Sequence, residues 1–166
     1  MLRLASYQAD LSKMIPRIPL VKDFWGFSKA GRGLAEWHLN YETVAPWAVD
    51  GLPPANASAT SLRVEKMRFS KGFDLHAKSA IAVNSHYTLS GIPEDAYRYT
   101  VNGKSAIEWL IDRYQVKTDK ASGIVNDPNL YSDDPRYIID LVARMVRVSM
   151  ESVAIIDSLP KLDIIE

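Results

Sequence analysis

The chain has 166 residues, 47% of them hydrophobic and 24% charged, which predicts one globular domain or a piece of a larger protein and excludes the disordered and collagen-like classes. Twenty Lys and Arg balance twenty Asp and Glu, so the net field gives no general attraction to nucleic acid or membrane, and such binding has to be local. There is no cysteine, which removes disulfides, thiolate metal sites and cysteine nucleophiles together.

Residues 1–19 open without the unbroken apolar core of a signal peptide and end in Ile15-Pro16-Arg17-Ile18-Pro19, whose two prolines impose extended backbone; an extended N-terminal arm is expected there. The remainder, 20–166, is expected to be a single domain. From residue 20 to about 41, Phe24, Phe27, Leu34, Trp37, His38 and Tyr41 recur at helical steps and predict an amphipathic helix, weakened locally by Gly31 and Gly33. Residues 44–60 carry Pro46, Gly51, Pro53 and Pro54 and read as an irregular surface connection.

Two strand-like runs follow, 62–70 (Leu62, Val64, Met67, Phe69) and 79–89 (Ile81, Val83, Tyr87, Leu89), predicting an antiparallel pair joined by a long loop around Gly72 and Asp74. Pro93 with Glu94 and Asp95 opens a short helix. A longer helix is expected from a cap near Asn102 to Tyr114, with Ile107, Leu110, Ile111 and Tyr114 on one face. Residues 116–133, rich in Asp, Asn, Gly, Lys and Ser, form a central loop too long for a mere connector. The last helix should start at Asp133 or Asp134, with Pro135 at its first position, and run to about Leu159 before Pro160. Ile138, Leu141, Val142, Met145, Val148, Val153 and Ile156 would face inward. The fold class is therefore α+β, a small antiparallel sheet packed against three main helices with a long central loop.

The chemistry of catalysis is sparse. His38, His76 and His86 have no ligand-like spacing, so neither a metal site nor a cofactor is expected. No Gly-x-Ser-x-Gly occurs, and Asn102-Gly103-Lys104-Ser105 is not a phosphate-binding loop because Arg98 stands where its first glycine belongs. Glu94, Asp95, Asp112 and Gln115-x-Lys117 offer nuclease-like residue types, but Asp112 to Gln115 reads as a helix end rather than adjacent strands. Charge is uneven. Arg63, Lys66, Arg68, Lys71 and Lys78 outnumber Glu65 and Asp74 in the strand region, and Arg98, Lys104, Lys117 and Lys120 bracket the central helix and loop. Tyr97, Tyr99, Tyr114, Gln115, Asn126 and Asn129 stand among them as groups able to stack on bases or bond their edges. The four tryptophans, Trp25, Trp37, Trp47 and Trp109, are read as core.

From Tyr97 the wording becomes specific: Tyr97-Arg98-Tyr99-x-Val101-Asn102-Gly103-Lys104-Ser105-Ala106-Ile107-Glu108-Trp109, then Tyr114-Gln115-Val116-Lys117-Thr118-Asp119-Lys120-x-Ser122-Gly123-Ile124-x-Asn126-Asp127-Pro128-Asn129. Together with Pro16-Arg17-Ile18-Pro19, Asp23-Phe24-Trp25, Leu39-Asn40-Tyr41-Glu42, Lys66-Met67-Arg68-Phe69 and Gly91-Ile92-Pro93-Glu94, it resembles the C-terminal region of the large single-chain restriction-modification enzymes called type ISP, often labelled predicted helicases. The resemblance covers nearly the whole chain. It implies a parent enzyme in which a nuclease, a helicase-like ATPase motor and an adenine methyltransferase precede a target-recognition region, and it matches only that last piece.

The expectation is thus a cytoplasmic, non-catalytic DNA-recognition domain that binds double-stranded DNA and the other domains of its parent, without membrane contact. Lys66, Arg68, Arg98, Lys104, Lys117 and Lys120 would grip phosphates, and Gln115 and Asn126 would contact bases or sugars. The alternative is a structural docking module that contacts the methyltransferase or motor domains without touching DNA, through the terminal helix and its acidic tail of Asp157, Asp163 and Glu166.

Overall fold

The computed structural model describes residues 20–70 and 80–165. The expected N-terminal arm, the loop around Gly72 and Asp74, and Lys71, His76, Lys78 and Glu166 lie outside the described residues.

The longest element, α4 (Tyr137–Asp157), organises the rest. Its apolar residues return at three- and four-residue steps, and Ile138, Ile139, Leu141, Val142, Ala143, Val146, Val148 and Val153 are buried. The helix begins later than the expected Asp133 or Asp134. Ser132 Oγ accepts from the Asp134 N–H (3.1 Å) and Asp134 Oδ1 from the Arg136 N–H (2.9 Å), so these residues, with Pro135, form turns ahead of the first helical residue.

Helix α1 (Phe24–Leu39) packs along α4. Asp23 caps it by accepting from the Gly26 N–H at 2.9 Å. Its inward face is only half-buried: Phe27, Leu34, Trp37 and His38 are partly covered, His38 bonding Ser152 of α4, whereas Phe24, expected inside, is exposed. At Gly26 a Cβ would stand 2.6 Å from Pro160 Cγ, so glycine permits the chain leaving α4 to cross here. That crossing is fixed by Lys22 N–H to Asp163 O (3.0 Å) and Ile165 N–H to Leu20 O (2.9 Å).

The strands are shorter than the runs that predicted them. Helix α2 (Ala59–Leu62) takes the start of the first run, leaving β1 (Arg68–Phe69). The second run divides into β2 (Ile81–Ala82) and β3 (Thr88–Leu89), because Asn84 Oδ1 accepts from the His86 and Tyr87 N–H groups and turns the chain between them. The expected pair is therefore a three-stranded antiparallel sheet, β1-β2-β3.

A 3-10 turn, Glu94–Tyr97, replaces the short helix, with Pro93 as its cap rather than its first residue. The helix expected from Asn102 instead begins at Ala106. Asn102 (φ 50°) and Gly103 (φ 80°) both adopt the left-handed conformation that a two-residue hairpin requires, pairing β4 (Thr100–Val101) with β5 (Lys104–Ser105). Helix α3 (Ala106–Arg113) then starts from a capping box between Ser105 and Glu108.

The long central loop folds into a second hairpin, β6 (Lys117–Thr118) with β7 (Val125–Asn126), and a 3-10 turn, Pro128–Leu130. One contiguous core gathers Leu62, Val64, Met67, Ile81, Val83 and Leu89 from the sheet side, Ile107, Leu110 and Ile111 from α3, and the inner face of α4. The architecture is α+β. None of the four tryptophans is fully buried: Trp47 and Trp109 lie half-buried beneath Arg147 and between Lys104 and Arg113, and Trp25 is 74% exposed.

Candidate nucleic-acid interface

The segment between α2 and β1 alternates unevenly, burying Leu62, Val64 and Met67 and leaving Arg63, Glu65, Lys66 and Arg68 outside. Side-chain amides hold it rigid in place of a longer sheet. Asn129 Oδ1 accepts from the Val64 N–H (2.9 Å) while its Nδ2 donates to Val64 O (2.8 Å). Asn84 Nδ2 donates to Ser61 O (2.8 Å) and Arg63 O (3.0 Å), and the Val116 N–H donates to Glu65 O (2.8 Å). Through these bonds the β2–β3 turn, the residue ahead of β6 and the second 3-10 turn all brace one exposed segment.

Above it lies an open groove of about 450 Å³, lined by Arg63, Glu65, Lys66, Arg68, Asn84 and His86. Arg63 is anchored to Asp127 (Nη2 to Oδ2, 2.6 Å). Asn129 and Arg63 both donate to that carboxyl and hold it below the usual carboxylate range. Lys66 and Arg68 are exposed, and neither forms an ion pair among the described residues. Two expected phosphate contacts thus come together beside one groove. Arg63, Asn84 and His86 join them without having been singled out as site residues: Arg63 was counted only in the basic excess of the strand region, His86 was weighed only as a metal ligand, and Asn84 lay inside the second strand-like run.

Lys104, Gln115 and Lys117 converge on a different point, the C-terminal end of α3. Lys104 forms an ion pair with Asp112, whose carboxyl it holds below its ordinary value. Gln115 Nε2 (2.8 Å) and Lys117 Nζ (3.0 Å) both donate to the Asp112 carbonyl, cations and donors being favoured where a helix leaves its last carbonyls unpaired. Lys104 and Arg113 flank the Trp109 ring at 5.3 and 5.5 Å, and Trp109 Nε1 donates to Val101 O (2.7 Å). Asn126 lies directly across from Lys117 on the hairpin and accepts from the Tyr131 hydroxyl (2.8 Å). Lys120 is exposed in the hairpin loop.

Arg98 is not grouped with the others by any contact. Its guanidinium meets Asp157 through two bonds of 2.9 and 2.6 Å and reaches Asp95 at 3.4 Å, which fixes it to the end of α4. The tail acids that would recommend a docking helix are likewise engaged, Asp157 with Arg98 and Asp163 with Lys22. A second surface does suit docking. Leu20, Phe24, Trp25 and Ile165 are each more than half exposed, on α1 and the two chain segments that cross beside it.

Among the described residues no three His, Asp or Glu side chains are grouped to hold a metal ion, and no helix is long and apolar enough to cross a membrane.

Comparison with known proteins draws these observations together. The model of the family described as Type ISP C-terminal specificity domain matches residues 4–141. No curated protein matches the chain. Among solved structures, a nuclease-deletion mutant of the Type ISP restriction-modification enzyme LlaGI, in complex with a DNA substrate mimic, is 43% identical with a TM-score of 0.82, over 97% of this chain and 13% of that one. The ATP-dependent Type ISP enzyme LlaBIII bound to DNA is 43% identical with a TM-score of 0.83, over 97% of this chain and 10% of that one. The DrdV–DNA complex is 26% identical with a TM-score of 0.74, over 96% of this chain and 16% of that one. The chain thus spans only a small part of the length of each.

Proposed function

The chain belongs to the family of Type ISP C-terminal specificity domains, and from that premise we propose that it is the part of a restriction-modification enzyme that recognises a target sequence in double-stranded DNA. The observation that carries this reading is the braced groove where Lys66 and Arg68 stand exposed beside Arg63 and His86, without an ion pair among the described residues. Cations held on a rigid segment neutralise phosphates without an ordering cost at the moment of binding. Support also comes from three similar structures, each holding DNA or a DNA substrate mimic.

In this reading Lys66 and Arg68 carry most of the phosphate contact, joined by Lys117 and Lys120. Lys104 contributes less, since Asp112 must first release it; exposed pairs are worth about 0–1 kcal/mol, so a phosphate can compete. Arg98 contributes least, being held by two bonds to Asp157. Gln115 and Asn126 meet bases or sugars. Nuclease, ATPase and adenine methyltransferase activities belong to the rest of a cytoplasmic parent, and this domain performs no catalysis itself. Leu20, Phe24, Trp25 and Ile165 face the parent's other domains, which favours docking as a second role beside DNA recognition rather than in its place.

The test is fluorescence anisotropy of a random-sequence duplex titrated with the chain between roughly 20 and 200 mM salt. Log affinity should fall linearly with log salt, and Lys66→Ala and Arg68→Ala should each flatten the slope by about one unit. A slope unchanged in both variants would remove the groove from the interface, and no binding at low salt would sink the reading as a whole.

A further inference from the structure

We infer that the β6–β7 hairpin is a preformed major-groove reader, in which the exposed side chains of Ile124 and Val125 recognise the 5-methyl group of thymine. The inference rests on the DNA-recognition reading above and names a specificity device within it.

The hairpin is built to be stiff at its tip. Asp119 Oδ1 accepts from the Ala121 N–H (3.0 Å), the Ser122 N–H (2.7 Å) and the Ser122 hydroxyl (2.8 Å). The backbone closes behind it through Gly123 N–H to Asp119 O and Asp119 N–H to Ile124 O, both 2.9 Å, with Gly123 at φ +73°. Its base is tied to the groove-bearing segment by Val116 N–H to Glu65 O. A tip fixed this firmly presents two branched aliphatic side chains to solvent, Ile124 at 68% and Val125 at 57% exposure. Each leaves most of its area in water, yet the polar bonding around Asp119 fixes the loop that carries them.

Their surroundings are cationic and amidic. Lys117 and Lys120 lie on the same hairpin, and the Asn126 side chain shares the opposite face from Val125 with its cross-strand partner Lys117, its oxygen accepting from the Tyr131 hydroxyl. A two-stranded ribbon fits the major groove, about 12 Å wide, and the aliphatic feature a duplex offers there is the thymine methyl. Lysines on the flanks then meet the phosphates on either side. Duplex DNA is the occupant this combination fits; a hairpin made for a protein partner would not need aliphatic tips set on a ribbon that also carries phosphate-seeking cations.

The experiment selects tight binders of the full chain from a random duplex pool, then remakes the selected duplex with deoxyuridine for thymine, one position at a time. At one or two positions the loss of the methyl should weaken wild-type binding about three- to five-fold, the worth of one buried CH2-sized group. The Ile124→Ser/Val125→Ser variant should bind the thymine duplex more weakly by about the product of those factors and be indifferent to deoxyuridine, with an unchanged salt slope. Lys117→Ala/Lys120→Ala should do the opposite, flattening the slope and keeping the thymine preference. A selected site with no recurring thymine, or a tip variant that still discriminates thymine from deoxyuridine, overturns the hairpin assignment while DNA recognition stands. Failure of the wild-type chain to retain any duplex at low salt overturns both.

Discussion

The Asn129 carboxamide does what a neighbouring strand would do, accepting from the Val64 N–H and donating to Val64 O from a turn 65 residues away. Removing it leaves two backbone groups of a buried residue without partners, each costing about 1–3 kcal/mol. Asn129→Ala should therefore lower the urea midpoint by an amount equivalent to about 2–6 kcal/mol with little change in slope, and it should blunt DNA binding because Lys66 and Arg68 hang from the loosened segment. Titratable residues act in the other direction, as reporters. Asp112, Asp119, Asp127 and Asp157 are all held below the ordinary aspartate value of 3.8 by the donors around them. A depressed carboxyl binds protons less readily folded than unfolded, so what it contributes is present above that value and is lost as pH falls through the folded pKa. His38, which bonds Ser152 (3.1 Å) between α1 and α4, is lowered by burial from 6.5, so acid charges the unfolded chain first and here too stability declines as pH falls. Melting temperature should thus fall in two stages on acidification, a shallow one beginning near pH 6.5 and a steeper one below about pH 4. His38→Gln, which keeps a partner for Ser152, should erase only the first; persistence of that stage would acquit His38.

At the scale of elements the most instructive join is β5 to α3. Ser105, 1% exposed, accepts from the Glu108 N–H (3.2 Å), while Glu108 Oε2 accepts from the Ser105 N–H and hydroxyl, both at 2.8 Å. Ser105→Ala should cost about 1–2 kcal/mol in denaturant unfolding, as loss of a helix cap does. Gly103→Val should also destabilise, by about 1–2 kcal/mol, through the left-handed conformation rather than through contact, since a Cβ at Gly103 would meet open space. This join also explains what was hidden in the sequence. The apolar period of α3 is real, but Asn102-Gly103 is at once an acceptable helix cap and a strong hairpin turn, and the periodicity alone drew the cap three residues too far back. Helix α4 was legible almost throughout because its apolar face spans many turns. Strands of two residues carry no readable alternation, which is why the second strand run divided unforeseen and the central loop concealed a hairpin. Among the site residues, Lys66 and Arg68 were legible as local charge. What engages Arg98 was not, for its partner Asp157 is 59 residues away and only the packing of the Glu94–Tyr97 turn against α4 brings the two together.

Over the whole molecule the net charge is zero, yet the two surfaces of interest have opposite characters: a braced basic groove with its neighbouring hairpin, and an apolar end where α1 meets the crossing terminal segments. Exposed aromatic residues contribute little to folding, because their area stays in contact with water in both states. Phe24→Ser/Trp25→Ser should accordingly leave the melting temperature nearly unchanged, within about ±0.5 kcal/mol, and leave the salt slope of DNA binding intact. It should nevertheless reduce binding of a dye that reports exposed apolar surface and any concentration-dependent association of the isolated chain. Lys66→Glu/Arg68→Glu should do the reverse, abolishing low-salt duplex binding while the apolar reporters stay constant. Among the described residues no hydrogen bond, ion pair or ring contact links Phe24 or Trp25 to the groove side chains, so the four substitutions combined should show the sum of the two effects, within about 0.5 kcal/mol in each measurement. A marked departure from additivity would mean that the two faces communicate through α4, on which α1 and the sheet-side core both pack, and would turn a domain with two independent surfaces into one where docking and DNA recognition are coupled.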